Sequence, residues 1–154
     1  MRLSFSGRPE ITAPRGEVWM RLLDPHFVAR SAPGVESVQT VDDTHFKVVS
    51  GFGVGFIKLR LALDVELFDL VAPTAAKMRA LGIAAGSEVD TTSSLELDES
   101  GPDRTRLTWS AVSEVSGALA SVGARLMEGA IRALTEQFWT DFARRASRGA
   151  AQRR

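Results

Sequence analysis

Cysteine and tyrosine are both missing from the 154 residues, and histidine occurs only at His26 and His45. Without cysteine there is no disulfide, no thiol nucleophile and no thiolate metal site. With two histidines and no tyrosine, the commonest general acids and bases are scarce. No run of about 18 apolar residues occurs, so no spanning helix is expected. Neither sign of charge is in excess: 19 basic and 19 acidic residues cancel, and nothing in that balance points to nucleic acid. The start, Met1-Arg2-Leu3-Ser4-Phe5, does not carry the apolar stretch of a secretory signal, and a cytoplasmic protein is the expectation.

The remaining composition is that of one globular domain, 44% apolar and 25% charged. Residues 2–8 read as a strand with Leu3 and Phe5 on one face, ended by Pro9. Pro14 suits the first position of a helix whose apolar face is Val18, Trp19, Leu22 and Leu23. Asp24 suits the N-cap of a second short helix, Pro25 to Ala32, which Pro33-Gly34 ends. Strands follow at Val35–Val41, His45–Ser50, 56–67, Thr74–Ile83, Ser87–Leu97 and Thr105–Val115, with Gly51, Gly53 and Gly55 loosening one connection. The clearest strand is 56–67. Ile57, Leu59, Leu61, Leu63, Val65 and Leu67 alternate there with Lys58, Arg60, Ala62, Asp64 and Glu66, the pattern of a sheet with one solvated face.

The last third, from Gly117 to about Arg148, reads as a single helix of roughly 30 residues, about 45 Å long. Leu119, Val122, Leu126, Ala130, Leu134, Phe138 and Phe142 form its stripe at steps of three and four. The order of strand, two short helices, about six strands and long helix is α+β. An antiparallel meander is covered on one face by the terminal helix.

Three stretches carry a resemblance. The first is Ala13-Pro14-Arg15-Gly16-Glu17-Val18-Trp19 with Leu23-Asp24-Pro25 and Ala29-Arg30-Ser31-Ala32-Pro33-Gly34-Val35-Glu36. The second is Gly53-Val54-Gly55. The third is Gly117-Ala118-Leu119 through Gly123-Ala124-Arg125-Leu126 to Gln137-Phe138-Trp139. Together they resemble the carbon monoxide dehydrogenase G-subunit family, within the START and pollen-allergen (SRPBCC) superfamily. The resemblance implies a helix-grip fold, a curved sheet of six to seven strands wrapped on the long helix. It also implies an accessory role beside a molybdenum-containing carbon monoxide dehydrogenase or related hydroxylase, with membrane recruitment or delivery of a lipophilic molecule such as a quinone. The chain departs from that family at Phe56, where proline is common, and at Leu59 and Leu63, where glycine is common. Both leucines add bulk to the inner face.

On this reading residues 1–148 form the helix-grip domain and 149–154 a basic tail. A hydrophobic small molecule is expected in a hollow between sheet and helix. Its walls would be Leu59, Leu61, Leu63, Met78, Thr91, Ser93 and Trp109 from the sheet and Leu119, Val122, Gly123 and Leu126 from the helix. The first half of the helix is rich in glycine and alanine and the second half in bulky residues, which places the open space under the first half and the tight core under the second. Thr91 and Ser93 point inward, where their hydroxyls need partners: neighbouring backbone, or a ligand carbonyl. No inward acid–base pair, nucleophile or metal set emerges, and no cofactor is expected. Arg144, Arg145, Arg148, Arg153 and Arg154 make a basic end, either a solvated helix terminus that suits the macrodipole or a contact for anionic lipid at the inner membrane face. Three functions remain open: a non-enzymatic carrier, an enzyme of the cyclase or dehydratase kind, and an interaction module with a filled core.

Overall fold

A computed structural model of the chain describes residues 1–84 and 86–152. The strands are β1 (Arg2–Gly7), β2 (Glu10–Ile11), β3 (Val35–Thr40), β4 (His45–Val54), β5 (Ile57–Val71), β6 (Ala75–Ala84), β7 (Ser87–Gly101) and β8 (Arg104–Gly117). The helices are α1 (Arg15–Leu22), α2 (Pro25–Ser31) and α3 (Ala124–Gln152), with a 3-10 turn at Ala118–Val122 before α3. The strands form one antiparallel sheet in the order β1-β8-β7-β6-β5-β4-β3, with β2 also on β8. The sheet does not close on itself. Among the described residues no helix is long and apolar enough to cross a membrane.

Alternation in β5 sets the inner face, and antiparallel register carries it across the sheet. Phe46 pairs with Val65, Val65 with Ala80, Ala80 with Thr91, Thr91 with Ser113, and Ser113 with Leu3. This row points at the helices, and Lys58, Arg60, Asp64 and Glu66 stand on the other side. A bulge between Val35 and Ser37 interrupts the outermost pairing, β3 with β4.

Helix entry follows local chemistry. The Asp24 carboxylate accepts hydrogen bonds from the backbone N–H of His26 (3.0 Å) and Phe27 (3.3 Å), satisfying two donors that α2 leaves free. Pro14 is itself the N-cap of α1 rather than its first residue.

Two expectations are corrected. Gly51 and Gly53 do not loosen a connection; they lie within β4, and the turn falls at Gly55-Phe56. The Gly51 N–H donates to the Gly34 carbonyl at 2.8 Å, and a β-carbon at Gly34 would stand 2.5 Å from the Gly51 carbonyl oxygen. The terminal helix also starts later than expected. Gly117 (φ +79°) and Gly123 (φ +94°) bracket the 3-10 turn and break the rod. The break resets the helical phase. Leu119 stays buried in the turn, but Met127 rather than Leu126 faces the sheet, and Leu126 is 55% exposed. From there α3 runs 29 residues, about 43 Å. It passes Arg148, and Ala150 is still buried against the first core.

That first core joins α1, α2 and the second half of α3 to β2, β6, β7 and β8 through Val18, Phe27, Leu107 and Phe142. A second core lies at the opposite end, where Leu3, Val54, Val115, Leu119 and Met127 meet. The glycines of the terminal segment play opposite parts. A β-carbon at Gly117 would lie 2.0 Å from the Gly86 carbonyl oxygen, whereas one at Gly129 would touch nothing within 4 Å. Gly117→Ala is therefore expected to destabilise the fold by about 1–3 kcal/mol or more, and Gly129→Ala to stabilise it by about 0.5–1 kcal/mol. Urea denaturation of the two variants checks both signs.

Candidate ligand cavity

The inner face is not filled. Its larger hollow, about 380 Å³, lies between the sheet, the two short helices and the second half of α3. Leu22 of α1, Leu23 just after it, and Val28 and Ala29 of α2 wall one side. Val48, Leu63, Leu67, Met78 and Leu95 form the sheet side, and Phe138 and Trp139 close it along α3. A smaller hollow, about 240 Å³, lies under the 3-10 turn and the first half of α3, between Phe5, Phe52, Leu61, Val89 and Trp109 of the sheet and Leu119, Met127 and Ile131 above.

The placement expected from bulk is thus reversed. The larger space sits beside the bulky half of α3, bounded by α1, α2 and the middle of the sheet. Phe142 is fully buried and packs edge-on against Phe27 of α2, with ring centroids 5.4 Å apart. The aromatic side chains prop the helices apart as much as they fill the gap.

The expected wall residues divide accordingly. Leu63, Met78 and Ser93 line the larger hollow. Leu61, Thr91, Trp109 and Leu119 line the smaller one. Leu59 and Val122 pack on the second core without lining either. Gly123 is exposed at the break before α3 and Leu126 faces solvent, so neither lines a hollow. Sequence reasoning missed the contributions of Leu22, Leu23, Val28, Phe46, Val48 and Trp139. Leu22 and Leu23 read as a helix face with no partner assigned, Val28 carries no assigned face within the second short helix, and Phe46 and Val48 follow from the same alternation that marks β5.

Polar groups inside are few. Thr91 Oγ and Ser113 Oγ hydrogen-bond to one another at 2.8 Å, a side-chain pairing where backbone was the expected partner. The Ser93 hydroxyl borders the larger hollow and has no hydrogen-bond partner among the described residues. Lys77 is the one charged residue in that wall among the described residues, and its ammonium reaches Asp69 at 3.4 Å. No cluster of histidine and carboxylate side chains suited to a metal occurs among the described residues.

The titrating centre lies outside the hollows, at the β3–β4 turn. The Asp42 carboxylate accepts from the Thr44 N–H (2.9 Å) and lies 2.9 Å from His45 Nδ1; Glu66 stands 3.8 Å from Nε2. Asp42 stands three residues before His45 in the sequence, and the register of β4 on β5 brings Glu66 opposite it. The Asp42 hydrogen bond holds the His45 imidazole above its ordinary value. The Thr44 amide first, then His45, hold Asp42 below the usual carboxylate value.

At the basic end, Arg144 pairs with Asp141 and Arg148 is exposed; Arg153 and Arg154 lie outside the described residues.

An open antiparallel sheet gripping a long terminal helix, with apolar space between, is the helix-grip architecture of START-like proteins. A START superfamily protein from Mycobacterium smegmatis superposes with a TM-score of 0.69 at 10% identity, covering 94% of this chain and 97% of that one. A conserved protein from Geobacillus kaustophilus superposes with a TM-score of 0.88 at 23% identity, over 95% and 96%. The Zhui aromatase/cyclase from Streptomyces sp. R1128 gives 0.72 at 15% identity, over 96% and 95%. At these identities the likeness is one of fold. Within that fold the chain belongs to the carbon monoxide dehydrogenase G-subunit (CoxG) family, which matches residues 7–147. A comparison with curated protein sequences finds no match.

Because the pKa of His45 is raised, its pairing contributes stability that is fully present below the free value of 6.5 and lost as pH rises through the folded value. An NMR titration is expected to place His45 above 6.5, and Asp42→Asn to bring it down toward that value.

Proposed function

We propose that this protein is a non-enzymatic carrier that holds a hydrophobic small molecule in the larger hollow and hands it to a partner. The observation that carries this reading is the hollow itself: about 380 Å³ walled almost wholly by aliphatic and aromatic side chains. Unfilled apolar space is costly to a fold, and a ligand that fills it recovers the lost contacts. Each 100 Å² of apolar ligand surface removed from water contributes about 2.5 kcal/mol, before the cost of immobilising the ligand. The Ser93 hydroxyl offers one hydrogen bond to a ligand oxygen, which would fix its orientation.

The family tie supports an accessory place beside carbon monoxide dehydrogenase, with a molybdenum hydroxylase-type enzyme receiving a lipid or quinone-like cargo. Work at the inner membrane face would suit such a cargo. Lipid contact would run through the basic end, Arg144, Arg145, Arg148, Arg153 and Arg154, of which Arg144 also pairs with Asp141. The fold likeness to an aromatase/cyclase supports a second reading, an enzyme acting on a polyketide-like substrate. That reading needs an ionisable group turned into the hollow, and the wall offers only Lys77, drawn to Asp69, among the described residues.

Solvent extraction and native mass spectrometry of the purified protein test the carrier. A lipophilic molecule is expected to be retained or taken up with unchanged mass. Ala80→Phe, which fills the hollow from the sheet, is expected to lower uptake about tenfold or more, the worth of two lost buried methylenes. Ser93→Ala is expected to weaken an oxygen-bearing ligand by about 2- to 10-fold. No uptake by the wild type would overturn the carrier, and chemical conversion of the bound molecule would favour the enzyme.

A further inference from the structure

We infer that the Trp109–Trp139 pair is a partition inside one binding channel, and that it sets the length of apolar ligand the protein accepts; this rests on the carrier reading above. The two hollows are neighbours on one continuous inner face. Leu63 of the larger lies two residues from Leu61 of the smaller on β5. Ser93 of the larger pairs in register with Ala111 of the smaller, and Leu95 of the larger with Trp109 of the smaller. On α3, Thr135 of the smaller hollow stands one turn before Trp139 of the larger. Where the two walls meet, the indoles of Trp109 and Trp139 stack with centroids 6.1 Å apart and planes 28° from parallel. They bridge sheet to helix at the boundary between the chambers.

The two indoles are held differently. Trp109 lies over Gly7, where a β-carbon would stand 2.7 Å from its Nε1; glycine there makes room for the ring. Its Nε1–H is buried without an acceptor among the described residues, a cost that the closed arrangement bears. Trp139 rests edge-on against Phe138 and Phe142 of its own helix, at 4.8 and 5.6 Å. A rotamer change of Trp139 would join the chambers without moving the backbone. Short ligands then occupy the larger chamber alone. A longer one has to pass the indoles and lay its end in the smaller chamber, between Leu61, Val89 and Met127.

Straight-chain alcohols from octanol to octadecanol are the probe, with native mass spectrometry and competitive uptake as readouts. Wild type is expected to show a length beyond which affinity stops rising. In Trp139→Ala that limit shifts to longer chains, and affinity for the alcohol two methylenes past it rises about tenfold. Adding Thr135→Leu, which places bulk in the smaller chamber, returns the limit to that of wild type. Trp139→Phe serves if the alanine variant does not fold, with a smaller shift in the same direction. If wild type binds alcohols but folded Trp139→Ala and Trp139→Phe keep the same limit, the partition is overturned and the carrier stands. A shifted limit that Thr135→Leu leaves in place overturns the second chamber. If wild type takes up no alcohol of any length, the carrier reading falls and the partition with it.

Discussion

Phe142 is the contact on which the arrangement of this protein depends. It is fully buried two-thirds of the way along α3 and meets Phe27 of α2 at 5.4 Å and Trp139 at 5.6 Å. Through Phe27 it ties the short helices to the long one. Through Trp139, which stacks on Trp109, it ties the long helix to the sheet. An aromatic ring in such a place contributes several kcal/mol, about 3–5 by the usual cost of truncation to alanine. The geometry matters as much as the energy. Helices fixed at that height above the sheet leave room beside Val48, Leu63 and Met78, and the larger hollow is that room.

The fold was readable because its elements obey simple periods. The alternation of β5 and the cap at Asp24 appear where residue chemistry puts them. The family resemblance led to the helix-grip fold as well. What stayed hidden depends on backbone conformation and on helices that pack at a distance. Gly123 reads as a small residue inside a helix, but at φ +94° it ends one turn and begins another. A phase shift of one residue there exchanges Leu126 for Met127. The site was half visible for the same reason. Sheet residues follow the alternation, so Leu61, Leu63, Met78, Thr91, Ser93 and Trp109 fall on the hollows. Which helix residues oppose them depends on the height and rotation of α1, α2 and α3, and no local pattern records that.

The interior and the surface divide the chemistry. Inside, hydroxyls are rare and either paired, as Thr91 with Ser113, or left toward open space, as Ser93. Charges are arrayed on the outer face in exposed cross-strand pairs such as Arg79–Asp90 and Arg60–Glu36, which in water contribute little each. On the proposed carrier reading, a greasy guest would meet almost no competing polarity in the larger hollow, and selection among guests would fall to shape.

The bulge between Val35 and Ser37 has a consequence for life in a crowded cell. An open sheet exposes two rims of unsatisfied amide groups, and such rims invite neighbouring copies to add on and polymerise. A kinked rim on β3, and on the other side Pro9 cutting β1 from β2, spoil the straight template that stacking requires. The sheet can stay open around its hollow without becoming the seed of a fibre.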